Sequence, residues 1–429
     1  MNYYSTNGNA KKVSFQEAVF KGLPEDNGLY MPETIPTLPS SFFSNLDQLS
    51  LSEIGFKVMQ TFVGNEIPDK KLHQIIDETL SFEIPLEKVH GDVFALELFH
   101  GPTFAFKDVG ARFLARCLSY FSRQSNKKLT VLVATSGDTG SAVAQGFYGV
   151  PNIDVLILYP SGKISRFQEQ QMTTLGKNIT ALEVDGVFDD CQRLVKSTFL
   201  DDELNEELNL TSANSINIAR MLPQSIYYFY GFAQLPAEKR KNVVLSVPSG
   251  NYGNLTAGLI AQKMGLPIKH FLACSNSIDT VPKYLKTGEY EAKPSISTIS
   301  NAMDVGDPSN FARMLDLYSG SHQKMKENIS GDSYSDEETR SAIKQVYEST
   351  GYILDPHGAV GWLGLKKYLK STSATGLFLE TAHPYKFKDT VEPEIGKKLT
   401  PVLEFKDQEK RSVPLENNFQ VFKQFLMDA

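Results

Sequence analysis

The sequence predicts an α/β protein with mostly parallel sheets and flanking helices, preceded by an N-terminal helical segment. Short runs rich in Val, Ile and Leu recur at 129–134, 154–158, 179–184, 242–247, 268–273 and 377–379. They are apolar at nearly every position, which implies burial on both faces, as in a parallel sheet. Segments of helical period separate them, such as 188–199 and 254–264. Strand, helix, strand repeated in this way is the pattern of doubly wound α/β folds.

Composition sets outer limits. The 429 residues are 41% apolar and 22% charged, which supports a large core and excludes bulk disorder. At roughly 150 residues per domain the length predicts two or three domains. The net charge of −7 argues against a nucleic-acid or membrane-surface binder, since either needs a basic patch. No run approaches the roughly 18 apolar residues of a membrane span. The start, Met1-Asn2-Tyr3-Tyr4-Ser5, lacks the basic and apolar regions of a signal peptide. Cys117, Cys191 and Cys274 are too far apart for a zinc knuckle, and their odd number argues against a disulfide framework. The histidines show no metal-ligand spacing. A cytoplasmic enzyme without a metal is the expectation.

Along the chain, residues 1–90 read as helical pieces punctuated by the turn clusters 25–28 and 35–40. Residues 91–390 form the α/β core, with a smaller subdomain at roughly 110–225, and 391–429 form a charged tail packed on that core. The acidic run 201–207 reads as a solvated helix face. A polar stretch, 319–340, interrupts the alternation. Within it Ser335 and Glu338 have capping-box spacing ahead of a helix to about 349.

Three glycine-containing turns follow or border strands, where ligands bind in open α/β sheets. Thr135-Ser136-Gly137-Asp138-Thr139-Gly140 opens a helix. It suits an anion site of free N–H groups and hydroxyls, or an ordinary capped turn. Pro248-Ser249-Gly250-Asn251-Tyr252-Gly253-Asn254 suits a phosphate cradle or a plain turn. Its glycines stand three apart and no Lys-Ser or Lys-Thr follows, so it is neither a dinucleotide fingerprint nor a Walker loop. In the third, Lys107 sits among Phe99, Phe104 and Phe106 ahead of a helix with apolar positions Val109, Phe113, Leu114, Leu118 and Phe121. Asp108 is expected to cap that helix. A lysine in apolar surroundings has its charged form disfavoured and its amine made nucleophilic, as a Schiff-base lysine requires. The alternative is a snorkelling lysine paired with Asp108.

Taken together, Phe99-His100-Gly101-Pro102-Thr103-Phe104-Ala105-Phe106-Lys107-Asp108, Ala134–Gly140, Ser212–Arg220, Val247–Asn254 and Thr381-Ala382-His383-Pro384 closely resemble the threonine synthases of the longer bacterial and fungal branch. The likeness extends to 13–19 and 300–305.

The resemblance implies fold type II of the pyridoxal 5'-phosphate (PLP) enzymes. It also implies conversion of O-phospho-L-homoserine and water into L-threonine and phosphate. Lys107 would bind PLP covalently and serve the proton transfers. Gly250, Asn251, Tyr252, Gly253 and Asn254 would wrap the cofactor phosphate, and Thr381 would bond the pyridine nitrogen. Asp138 stands where several relatives carry asparagine against the cofactor's 3′-oxygen, a contact an ionised carboxylate could accept but not donate. Thr135, Ser136 and Thr139 would bind the substrate carboxylate. Asn214, Ser215 and Arg220 would meet the substrate phosphate, with Lys163 and Arg166 as further basic candidates. His100 is expected as a loop support and His383 as a turn residue without a catalytic role. A monomer or simple homodimer is expected. The competing readings are a dehydratase or sulfhydrylase of the same fold type, a non-catalytic PLP-binding protein, and a nucleotide-binding protein.

Overall fold

The computed structural model describes residues 1–122, 128–403, 405 and 408–428. Every one of the six apolar runs lies in a strand. In chain order the strands are β1 (Tyr3–Ser5), β2 (Tyr30–Pro32), β3 (Leu86–His90), β4 (Val93–Glu97), β5 (Leu129–Ala134), β6 (Ile153–Pro160) and β7 (Ile179–Val184). They continue with β8 (Asn209–Ser212), β9 (Val243–Pro248), β10 (Ile268–Ser275), β11 (Ile329–Ser333), β12 (Thr375–Glu380) and β13 (Ser412–Leu415). One sheet has six strands in the order β11-β10-β9-β12-β4-β3, and a second has five in the order β13-β7-β6-β5-β8. The five-stranded sheet is entirely parallel, and only the β3–β4 pair of the larger sheet is antiparallel. Central strands β9 and β12 are buried at every residue, as two covered faces require.

The strands absent from the sequence reading are mostly edges. β3, β8, β11 and β13 each end a sheet. An edge strand is half solvated and needs no continuous apolar run. Pro414 sits in β13, where a missing ladder donor is tolerated. β11 and the helix His322–Asn328 both fall in the polar stretch read as an interruption. After them Ser335 and Glu338 form the expected capping box, and the helix runs Asp336–Thr350.

The tail is structural. β13 lies parallel to β7, and the helix Phe419–Asp428 buries Phe422 and Leu426 in a cluster that includes Leu194 and Leu204. Lys423 reaches Asp201 at 2.8 Å and Glu203 at 2.7 Å. The acidic run is a solvated helix face, as read, with Asp202, Glu203, Asn205, Glu206 and Glu207 exposed, and Asp201 and Glu203 also anchor the tail.

The N-terminal helices start where their caps place them. Ser14 with Glu17 and Ser50 with Glu53 both close capping boxes. The helix Leu51–Val63 buries Ile54, Val58, Met59 and Phe62, a stripe of helical period. This segment is tied to the core by Arg313, which is 0% exposed. Its Nε donates to Tyr30 O at 3.1 Å, Nη1 to Ser215 O at 3.0 Å and to Asn310 Oδ1 at 2.7 Å, and Nη2 to Ile216 O at 2.6 Å. Burial pulls its pKa down to about 9. Arg313→Met removes these donors and leaves buried acceptors unpaired. It is expected to cost about 3 kcal/mol in chemical denaturation, whereas an unchanged midpoint would mean that the segment is held by packing alone.

Candidate active site

The carboxyl ends of β5, β9 and β12 open on one cleft of about 810 Å³, counting its mouth. Its walls bring together Lys107, Thr135, Ser136, Asp138, Thr139, Asn214, Ser215, Arg220, Gly250, Asn251, Tyr252, Gly253, Asn254 and Thr381, all the residues singled out in the sequence for cofactor and substrate except two basic candidates. Lys163 and Arg166 are exposed and do not line it. Arg166 begins the helix Arg166–Thr173, whose Ser165 cap turns Gln168 inward instead.

Lys107 is presented by two stitched loops. Leu98 N donates to Glu380 O at 2.9 Å, Phe106 N to Thr381 O at 2.9 Å and His383 N to Phe104 O at 3.0 Å. The loop after β4 is thus fastened to the end of β12, with Lys107 and Thr381 at the join. Lys107 opens the helix Lys107–Phe121, and all five of its expected apolar positions are buried. Asp108 does not cap it. Asp108 lies inside the first turn and accepts from Thr103 N at 2.9 Å and Thr103 Oγ1 at 2.6 Å. Its carboxylate shapes the loop before the helix, so it neither caps nor neutralises Lys107.

Lys107 Nζ lies 5.7 Å from the Phe106 ring centroid. Among the described residues it has no hydrogen bond or ion pair. Burial lowers its pKa to about 8, against the pull of Asp138 and with help from Arg220 and Lys386. About a tenth is then unprotonated at pH 7, far more than for an ordinary lysine, as attack on an aldehyde requires.

The turn after β9 is built for close approach. A Cβ on Gly250 would lie 2.5 Å from Met303 Cα, so no larger residue fits. Tyr252 takes φ 59°, a left-handed conformation, just before the helix Gly253–Lys263. That kink brings successive N–H groups and a helix N-terminus to the cleft, an anion cradle. Its phenol turns away to Ser275 Oγ at 2.5 Å. Asn254 braces the turn through Ser249 Oγ at 3.0 Å and Pro248 O at 2.8 Å. Asn251 Nδ2 donates to Ser215 Oγ at 2.6 Å and so links this turn to the neighbouring loop.

The turn after β5 is held from within. Thr135 Oγ1 accepts from Gly137 N at 2.9 Å and Gly140 N at 2.8 Å, and Gly137 takes φ 135° before the helix Asp138–Phe147. Asn214 Nδ2 donates to Ala134 O at 2.7 Å while its Oδ1 accepts from Ala134 N at 3.1 Å. Ser136 and Thr139 line the cleft without a side-chain partner among the described residues. Burial alone would raise Asp138; Lys386, Lys107 and His357 override it and hold the carboxyl well below its usual range.

Arg220 is 2% exposed and pairs with no carboxylate among the described residues. Its Nη1 donates to Ala213 O, and its buried Nε has no partner. Burial lowers its pKa to about 10, opposed by Tyr227 and Asp108. A largely ionised guanidinium with a spare donor on a cleft wall suits an oxyanion. At that burial Arg220 is no surface salt bridge, the ordinary use of an arginine.

His100 is paired with Glu97 at 2.7 Å at the surface. His383 Nδ1 accepts from Tyr385 N at 3.1 Å, and burial lowers its pKa to about 4. Both serve their loops, as expected. Lys386, Gln168 and His357 were missed. Lys386 carried the same signal as Lys107, a lysine between aromatic residues (Tyr385 and Phe387). His357 lines the cleft, and its Nδ1 lies 2.5 Å from Asp355 Oδ1, which also caps its helix.

This geometry fits a phosphate-bearing aldehyde cofactor. It offers a free buried amine, a cradle closed to any side chain at Gly250, and, at Arg220, a buried guanidinium without a carboxylate partner among the described residues. Comparisons agree. Residues 2–80 match the family model described as threonine synthase N terminus, and residues 79–376 match the pyridoxal-phosphate dependent enzyme model. A curated threonine synthase of Haemophilus influenzae is 47% identical over 433 residues, covering 100% of both chains. The crystal structure of threonine synthase from Escherichia coli superposes with a TM-score of 0.94 at 43% identity, covering 100% of both chains. The PLP-bound threonine synthase from Brucella melitensis gives a TM-score of 0.91 at 34% identity, covering 100% of this chain and 99% of that one.

Proposed function

The chain belongs to the threonine synthase family of pyridoxal-phosphate-dependent enzymes, and from that premise we propose how its cleft converts O-phospho-L-homoserine and water into L-threonine and phosphate. The observation that carries the reading is the unpaired Lys107 amine lining one cleft together with the turn 250–254 and Arg220.

PLP, when bound, delocalises the electron pair left when the substrate's α-carbon loses its proton. The chain supplies everything else. Lys107 Nζ would hold the cofactor until substrate arrives, then take protons from the α- and β-carbons and return protons to the γ-carbon, which becomes the methyl group, and to the α-carbon, while water adds at the β-carbon. One amine with a pKa of about 8 suits both directions of transfer near neutral pH. The N–H groups of 250–254 would hold the cofactor phosphate, and the Thr381 hydroxyl would serve the ring nitrogen. Asp138, an ionised acceptor, would serve a protonated 3′-oxygen. Thr135, Ser136 and Thr139 bind the substrate carboxylate at the start of the helix Asp138–Phe147. Arg220, with Asn214 and Ser215, binds the substrate phosphate and stabilises charge as it leaves the γ-carbon.

A cytoplasmic location fits the acidic charge, and among the described residues no helix is long and apolar enough to cross a membrane. The assembly read from sequence is a monomer or simple homodimer acting on a small molecule, without a nucleic-acid or membrane partner.

The rival activity is deamination of serine or threonine, which needs no second phosphate site. Arg220 disfavours it. With PLP added, inorganic phosphate release from O-phospho-L-homoserine is expected to exceed ammonia release from threonine by at least roughly 100-fold in kcat/KM, a discrimination a dedicated polar pocket supplies. Comparable rates would move the chain to the dehydratases.

A further inference from the structure

Two buried lysines, Lys386 and Lys107, act on one buried carboxylate of the cleft wall, Asp138. Asp138 Oδ1 lies 2.6 Å from Lys386 Nζ, with the two side chains 3% and 0% exposed. Gln168 Nε2 donates to the same oxygen at 2.9 Å, and Lys386 Nζ also donates to Thr103 O at 2.9 Å. Lys386 lies in the turn Pro384–Phe387, just beyond Thr381. Asp138 and Lys107 line the cleft, whereas Lys386 does not. Stability does not account for an ion pair this deep, because well-packed apolar residues often serve as well. Its neighbourhood offers another account.

We propose that Lys386 is a positioning residue for this reaction: it engages Asp138 so that the carboxylate does not pair with Lys107, leaving the Lys107 amine free for the cofactor. The inference rests on the assignment of Lys107 as the cofactor lysine. The charged groups acting on Lys107 are Asp138, which favours its protonated form, and Arg220 and Lys386, which oppose it. His357, in the helix Pro356–Leu369, also acts on Asp138. Asp108, on the same helix as Lys107, is held by Thr103. After Lys386, Lys107 is the cation that acts most strongly on Asp138. Removing Lys386 therefore hands the carboxylate to Lys107 and favours its protonated form. Removing Asp138 leaves Lys386 and Arg220 unopposed and disfavours it.

The test is a pH titration of the visible chromophore that PLP forms on Lys107, in full-length holoenzyme. Lys386→Met is expected to raise the midpoint by about one pH unit, a tenfold change in proton affinity. Asp138→Asn is expected to lower it by a similar amount. Combining the two should bring it back to within about 0.3 unit of wild type, because neither a freed carboxylate nor an unopposed lysine then remains beside Lys107; a merely structural role gives no such pair of opposed shifts. Unchanged midpoints in both single variants, or a double variant no closer to wild type than its parents, overturn the proposal. Should Lys386→Met fail to fold, Asp138→Asn and the double variant decide by the same criterion. A wild-type holoenzyme with no lysine-borne chromophore overturns the Lys107 assignment itself, and this proposal with it, so the two failures are distinguishable.

Discussion

Lys107→Ala is expected to yield a folded protein with no chromophore and turnover reduced at least about 10⁴-fold, since covalent capture and proton transfer are lost together. Folding should survive. Lys107 makes no hydrogen bond or ion pair among the described residues, and its helix buries Val109, Phe113, Leu114 and Leu118 independently of it. Alanine is also the best helix former. Circular dichroism and denaturation should therefore match wild type while absorbance and phosphate release vanish. A variant that still releases phosphate would show that another base does the work.

Arg220→Ala separates the two anion sites. The guanidinium is buried on the cleft wall, and of its terminal nitrogens only Nη1 is engaged among the described residues, by Ala213 O, which leaves a donor for the leaving phosphate. Truncating one member of a buried charge pair typically costs 2–5 kcal/mol. A loss of about 10²–10³-fold in kcat/KM for O-phospho-L-homoserine is expected, with PLP affinity changed less than about threefold. Arg220→Lys should recover only part of the loss, because a point charge does not replace a planar fork. Equal losses for substrate and PLP would place Arg220 at the cofactor.

These residues were legible because the chemistry sits at strand ends. Runs 129–134, 242–247 and 377–379 end within two residues of Thr135, Pro248 and Thr381, and the parallel-sheet pattern alone marks such ends as ligand positions. What the residues hold came from the ordered motifs, because spacing left each turn open between an anion site and a plain turn. The illegible parts have physical causes. β8 reads Asn-Leu-Thr-Ser and pairs on one side only, so no apolar run announces it. β4 is interior, but five residues of Val-Phe-Ala-Leu-Glu do not separate strand from helix by period. Asp108 looked like a cap because it is an aspartate beside a helix start. The helix in fact begins one residue earlier, and Thr103, distant by five residues, takes its carboxylate. Lys386 is a tertiary partner of Asp138, 248 positions away, and no local pattern joins them.

The central claim is that one buried amine, at Lys107, takes the cofactor. Borohydride reduction of the PLP-loaded enzyme, followed by proteolysis and mass spectrometry, tests it most directly. A single pyridoxyl label on the peptide containing Lys107 is the predicted result; a label on any other lysine, Lys386 included, or no label at all, would contradict it.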